Sequence, residues 1–340
     1  MAQRQEQVQD ENQAPGDARG EGVGAGHKSD GHGGGHGHSG HGHSHSGHSH
    51  GHGHGHDGKD MDWAAMGTML ERYARIAAPL YGEVAAWLRA WVPEPGVVVD
   101  VGSGPGAVSF LLAEAFPTAR IVAADPEEPL LERARERAAR EGLTGRFDAV
   151  RAALPDDIGD VPTADLLWLC KSLHHVGDQS AALAALAGRL APGGAIALLE
   201  GGLNARYLPR DIGFGRPGLL SRLEASDEAW FAGMRESLPG TKDAPEDWPA
   251  LLTGAGLRHV ATRSFLLDLP APLPEDARAH VIEEFTRRRE MHEERFTPED
   301  LATFDRLLDA DDPQSLHHRP DLFLLSAQTV HVAVKDPADG

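Results

Sequence analysis

The chain has 340 residues, 40% of them hydrophobic but only 6% aromatic, with a formal net charge of −20 and a single cysteine. Such a length admits one or two domains, the lone Cys170 excludes an internal disulfide and a cysteine-based zinc site, and the acidic balance argues against nucleic acid as a partner. No apolar run reaches the length of a membrane span, and the opening MAQRQEQVQDENQ lacks the apolar stretch of a secretory signal, so a cytoplasmic protein without membrane contact is expected.

Residues 1–59 hold 12 of the 20 histidines and few apolar side chains, the composition of a disordered tail. Within it His43, His45, His48, His50, His52, His54 and His56 alternate with glycine and serine. Imidazoles two residues apart on a flexible chain can wrap nickel or zinc and release it as they protonate. Adventitious binding and a metal-buffering role both stay open, and neither makes the tail catalytic.

The globular part is expected over residues 60–335. Two amphipathic helices are read over 61–91, split at Pro79, with Met66, Met69, Leu70, Tyr73 and Ile76 near helical spacing. GVVVDVG (96–102) is a short β-branched run ending in glycines, as a buried parallel strand does. A helix follows over 107–116, then a strand over 120–125 and a helix over 127–141. Further strands are read at 147–152 and 164–170, and a helix over 178–191 with Asp178 as its N-cap. After a turn at Pro192-Gly193-Gly194 comes a strand over 195–202. This alternation implies an α/β fold, a doubly wound sheet of mainly parallel strands.

Ligands of such sheets bind beyond the carboxyl ends of the strands. The first strand ends in Asp100-Val101-Gly102-Ser103-Gly104-Pro105-Gly106, a bend that lets backbone approach a ligand. The second ends in Asp125, suitably placed to accept both hydroxyls of a ribose. The glycines alone fit either a dinucleotide pattern, through Gly102, Gly104 and Ala107, or a D-x-G-x-G-x-G pattern. Asp100 would repel a pyrophosphate and attract an ammonium group. A nicotinamide dehydrogenase would bind NADH.

The order DVGSGPG, strand-end Asp125, ADLLWLCKSLHHVGD and LAPGG resembles the class I S-adenosylmethionine-dependent methyltransferases over about 95–202, and more loosely over 244–334. The resemblance implies a Rossmann-like sheet of seven strands, the last antiparallel. EDWPALLTGAGL (246–257) would be the final crossover helix, with 260–269 and 321–334 as the closing strands. It also implies S-adenosylmethionine as cofactor. Asp100, Gly102, Ser103, Gly104 and Gly106 would hold its methionine end and Asp125 its ribose. Pro126, Ala153 and Leu154 would lie by the adenine, and Lys171 near the sulfonium. The chain departs from many relatives at VRAALP, which offers no Asp for the adenine amine.

The resemblance implies methyl transfer to oxygen or nitrogen of a small-molecule acceptor, a secondary metabolite being one class. His174 and His175 are candidate bases, although that region commonly shapes the cofactor pocket in this family. Acceptor recognition is expected from segments outside the common sheet. Helices at 60–92 offer Trp63, Met66 and Tyr73, either as pocket liners or as core. An inserted helical cap at 203–243 mixes aromatics with Arg206, Arg210 and Arg216. That mixture suits an acceptor with an acidic group, or a cap packed for its own stability. A second helical insertion at 274–309 carries Arg287, Arg288 and Arg289, read as a solvated face, with a homodimer interface as the other reading. The alternative of a different class is a metal-handling protein whose folded domain binds cofactor without catalysis.

Overall fold

A computed structural model describes residues 63–242 and 244–337; the expected disorder of the tail lies outside the described residues. The chain begins with α1 (Trp63–Ile76) and α2 (Ala78–Leu88). The break falls at Ala77, not at Pro79. Pro79 sits in the first turn of α2, where its missing N–H has no helical partner to lose.

The strands and helices then alternate. They are β1 (Val97–Val101), α3 (Ala107–Ala115), β2 (Arg120–Asp125), α4 (Glu128–Arg140), β3 (Phe147–Arg151) and β4 (Ala164–Cys170), followed by α5 (Gln179–Ala187) and β5 (Leu190–Arg206). After α6 (Leu219–Ser237) and α7 (Trp248–Gly254) come β6 (Arg258–Leu269), α8 (Glu275–Met291), α9 (Pro298–Leu308) and β7 (Leu324–Val334). One seven-stranded sheet results, in the order β3-β2-β1-β4-β5-β7-β6. The first five strands pair in parallel, whereas β7 runs antiparallel between β5 and β6.

The sheet is apolar on both faces, which is why its strands read as continuous runs. Along β1, Val98 faces one core and Val99 and Val101 the other. Val98, Val99, Ile121, Val122, Leu166 and Leu167 are fully buried, each side chain stabilising the fold by about 1.5–3 kcal/mol. Helices α2, α3, α4 and α8 contribute to the first core; α5 and α7 cover the second.

Local signals explain the ends of elements. Asp178 caps α5 by accepting from the Ala181 N–H at 3.0 Å, as read. Thr297 caps α9 by accepting from the Asp300 N–H, which divides it from α8 near Thr297-Pro298. Leu173–His175 forms a single 3-10 turn. Two expectations shift. β5 begins at Leu190 rather than 195, because Leu190 pairs with Ala164 and Ala195 with Leu166. The residues between them, the expected Pro-Gly-Gly turn, bulge from the ladder with Gly193 at φ 80°. β5 also continues to Arg206 along β7, so residues 203–206 are strand.

Candidate functional site

The site grows from the carboxyl ends of β1 and β2. Gly102, Gly104 and Gly106 all have positive φ, which lets the chain bend sharply between β1 and α3. A Cβ on Gly102 would overlap the Ser172 side chain, so this backbone lies directly against the segment after β4. The Gly102 and Ser103 N–H groups donate to the Ala124 carbonyl at 2.7 and 3.1 Å, fastening the loop to β2.

Two carboxylates are built into this bend. Asp100, 2% exposed, accepts from the Ser109 hydroxyl of α3 at 2.6 Å. Burial pushes its carboxyl up to about 7, with the nearby Asp125 charge adding to the rise and the Ser109 hydrogen bond opposing it. Asp125 accepts from the Gly104 N–H at 2.8 Å and from the Glu127 N–H at 3.0 Å, one on each oxygen. Burial raises its carboxyl too, against those hydrogen bonds. Each oxygen keeps capacity to accept again, since an ionised carboxylate offers about four lone-pair sites. Asp100, the glycines, Ser103 and Asp125 thus form one structural unit, in which Gly102, Ser103 and Gly104 are bonded to Ala124 and Asp125 of β2 and Asp100 to Ser109 of α3.

Pro126 follows at the same edge, where its carbonyl accepts from the Arg151 guanidinium. Ala153 lies just beyond β3 and is fixed by paired backbone hydrogen bonds with Asp157. Leu154 packs with the second core.

After β4 the chain turns sharply. Lys171 has φ 52°, the one non-glycine residue at positive φ among the described residues. Its ammonium lies 5.6 Å from the centre of the Tyr73 ring. Next come Ser172, donating to the Val101 carbonyl, and the turn that carries both histidines. Glu200 of β5 organises that turn. Its Oε1 accepts from the Leu173 and His174 N–H groups, and its Oε2 lies 2.8 Å from His174 Nδ1. The Arg235 guanidinium of α6 donates to the His174 and Val176 carbonyls. The His174 ring packs against His175 and Phe231.

Helix α1 closes the edge. Leu70 sits 3.4 Å from where a Cβ on Gly104 would be, and Glu71 pairs with Arg133 of α4 at 2.7 Å. Tyr73, one turn further, packs on the first core and meets the His280 ring at 5.3 Å. Of Arg206, Arg210 and Arg216 in the inserted segment, Arg206 pairs with Glu224 and Arg216 with Asp300 of α9.

A family profile described as a methyltransferase domain matches residues 99–196, the stretch that holds this unit. A trans-aconitate 2-methyltransferase of Streptomyces coelicolor is 33% identical over 214 residues, covering 56% of this chain and 69% of that protein. The chain is a class I S-adenosylmethionine-dependent methyltransferase. The methyltransferase is also 29% identical to a ubiquinone/menaquinone biosynthesis C-methyltransferase of Desulfotalea psychrophila, over 53% of this chain and 72% of the other. Among solved structures, human N-acetylserotonin methyltransferase superposes at a TM-score of 0.41 with 20% identity, over 59% of this chain and 52% of that one.

Sequence reading of the methyltransferase overlooked Glu200 and Arg235. Glu200 was within reach, because it ends the apolar run of β5 as Asp100 and Asp125 end theirs. Arg235 carried no signal, since it meets the histidine turn across 61 residues of chain. Among the described residues, no group of three or more His, Cys, Asp or Glu could hold a metal ion. The tail histidines His43 to His56 lie outside the described residues. No described helix is long and apolar enough to cross a membrane.

Proposed function

We propose that the methyltransferase moves a methyl group to an oxygen or nitrogen of a small-molecule acceptor, a secondary metabolite being one such class. The bend after β1 holds the cofactor and the side of α1 bearing Tyr73 faces the acceptor. The observation that carries this reading is the Asp100, Gly102–Gly106 and Asp125 unit. Its carboxylates are buried and hydrogen-bonded, and a Cβ would crowd its backbone.

The residues present fit S-adenosylmethionine. Asp100 attracts the methionine ammonium, directly or through water, from an apolar surround that strengthens the attraction. Gly102, Ser103, Gly104 and Gly106 bring backbone against the methionine end. Asp125 accepts from the ribose hydroxyls, and Pro126, Ala153 and Leu154 flank the adenine. Lys171, whose ammonium lies 5.6 Å from the Tyr73 ring centre, would stand near the sulfonium. When bound, the cofactor supplies a methyl group already activated on a positively charged sulfur. What the protein adds is alignment of acceptor and methyl, worth up to roughly 7–11 kcal/mol of barrier.

His174 and His175 shape the floor in this reading. Both Glu200 oxygens are spent on the turn, and Arg235 holds its carbonyls, as befits a structural corner. Calorimetry tests the core of the proposal: S-adenosylmethionine should bind the full chain at one site. Asp125→Ala should weaken it by at least about 1.5–3 kcal/mol, the worth of hydrogen bonds to a charged group. Unaltered binding by that variant would remove Asp125 from the site.

A further inference from the structure

Single exposed leucines are ordinary on a protein surface, whereas several gathered on one face mark a place where something docks. Three of the five large apolar side chains exposed among the described residues stand together on the sheet: Leu203 at 71%, Leu266 at 59% and Leu325 at 38%. Strand register gathers them. β4 ends at Cys170, paired with Leu199, and beyond it β5, β7 and β6 run on as a three-stranded extension. There Leu203 of β5 and Leu266 of β6 both pair with Ala327 of β7. Side chains alternate between the two faces. Phe265, Leu267 and Leu324 enter the first core. Ser264, Leu266, Asp268, Leu325 and Ala327 take the other face, and the second core, which includes Leu198 and Ala333, holds none of them.

The charges of this face cancel, and they lie in one row. Arg206 and Asp268 both pair with Leu325, one from each side. Asp268 has no ion-pair partner among the described residues. Arg206 gives one Nη to Glu224 and keeps its other donors. Between that row and the Leu203-Ala327-Leu266 row there is no other charge, and beyond it the Ser264 and Thr329 hydroxyls bond each other at 2.9 Å. The basic run of α8, the interface considered from sequence, is used within the fold instead: Arg287 and Arg288 pair with Glu284, and Arg289 with Asp305.

We infer that a second copy of the chain docks on this face, about a two-fold axis running along β7. Such an axis exchanges the strands on either side of β7. Leu203 then meets the partner's Leu266, Leu325 and Ala327 meet their own counterparts, and Arg206 meets the partner's Asp268. Apolar rows lie on apolar rows, and each guanidinium lies opposite a carboxylate. An axis across the strands through Ala327 would set the partner's Ser264 over Asp268 and leave both charges unmatched. Facing sheets pack about 10 Å apart with strands within roughly 30° of each other, close enough for opposed leucines to touch. A formal net charge of −20 keeps copies apart over most of their surface, and repulsion is least where a face carries no net charge. The inference does not depend on the cofactor assignment.

Sedimentation of the full chain at micromolar concentration tests it, and wild type should run as a dimer. Leu203→Lys and Leu266→Glu each set a charge against a leucine of the other copy, and each should weaken dimerisation by about tenfold or more. Both side chains are exposed, so neither change removes core packing. Joined in one chain, the two changes place each new ammonium opposite a new carboxylate of the other copy, and the double variant should regain most of the dimer. That recovery belongs to the axis along β7 alone. A monomeric wild type overturns the inference, as does a dimer that neither single variant weakens. A double variant no better than the singles overturns the pairing of Leu203 with the partner's Leu266, and the inference with it.

Discussion

At the scale of single residues, Asp100 in the proposed function couples stability to cofactor capture. Its folded value of about 7 lies above the ordinary 3.8. The folded chain therefore keeps a proton that the unfolded chain releases across that window, and stability falls as pH rises through it. Asp100→Asn should melt higher than wild type above pH 7, with the difference gone below pH 4. Cofactor affinity should respond in the opposite sense, because only the ionised carboxylate attracts an ammonium. Calorimetry should find binding strengthening as pH rises toward and past 7 in wild type, and a flat profile in Asp100→Asn. Gly102→Ala is the steric counterpart. It forces an L side chain to φ 71° and onto Ser172, costing about 1–2 kcal/mol for the backbone and 1–3 kcal/mol for the overlap. Both melting temperature and cofactor affinity should drop. The acids and glycines were legible because each demands a residue type at a strand end. Glu200 was legible by the same logic.

At the scale of elements, the turn after β4 and the docking of α9 make separate claims. The turn is held by Glu200 from β5 and Arg235 from α6. If His174 only shapes the floor, His174→Ala at saturating cofactor should slow turnover by less than tenfold. Loss of a general base would instead cost about 10²–10⁴-fold. Helix α9 is tied to the inserted segment by Asp300, buried and bonded to Arg222 at 2.7 Å and Arg216 at 2.9 Å. Asp300→Ala leaves both partly exposed arginines without their carboxylate and should lower stability by about 1–3 kcal/mol, read by denaturant unfolding. The arginines of the inserted segment read equally as acceptor ligands or as internal struts. Arg216 pairs with a residue 84 positions away, and only folding reveals that distance.

At the scale of the whole molecule, composition separates residues 1–59 from the rest, and the histidine tract is independent of the cofactor unit in the proposed function. Truncation after Lys59 should leave cofactor affinity unchanged. Nickel or zinc titrated into the full chain should bind above pH 7 and be released below about pH 6, as imidazoles protonate. A large loss of methyl transfer on truncation would tie the tail to the site.

The sequence by itself determined the alternation of strands and helices, the bend of three glycines and the two acids at strand ends, because these depend on residue type and short spacing. Tertiary structure decided which polar groups meet: Glu284 with its arginines, Glu200 with the histidine turn, and Asp300 with Arg216 and Arg222. Such matching depends on which faces meet across long stretches of chain, and no local pattern encodes it.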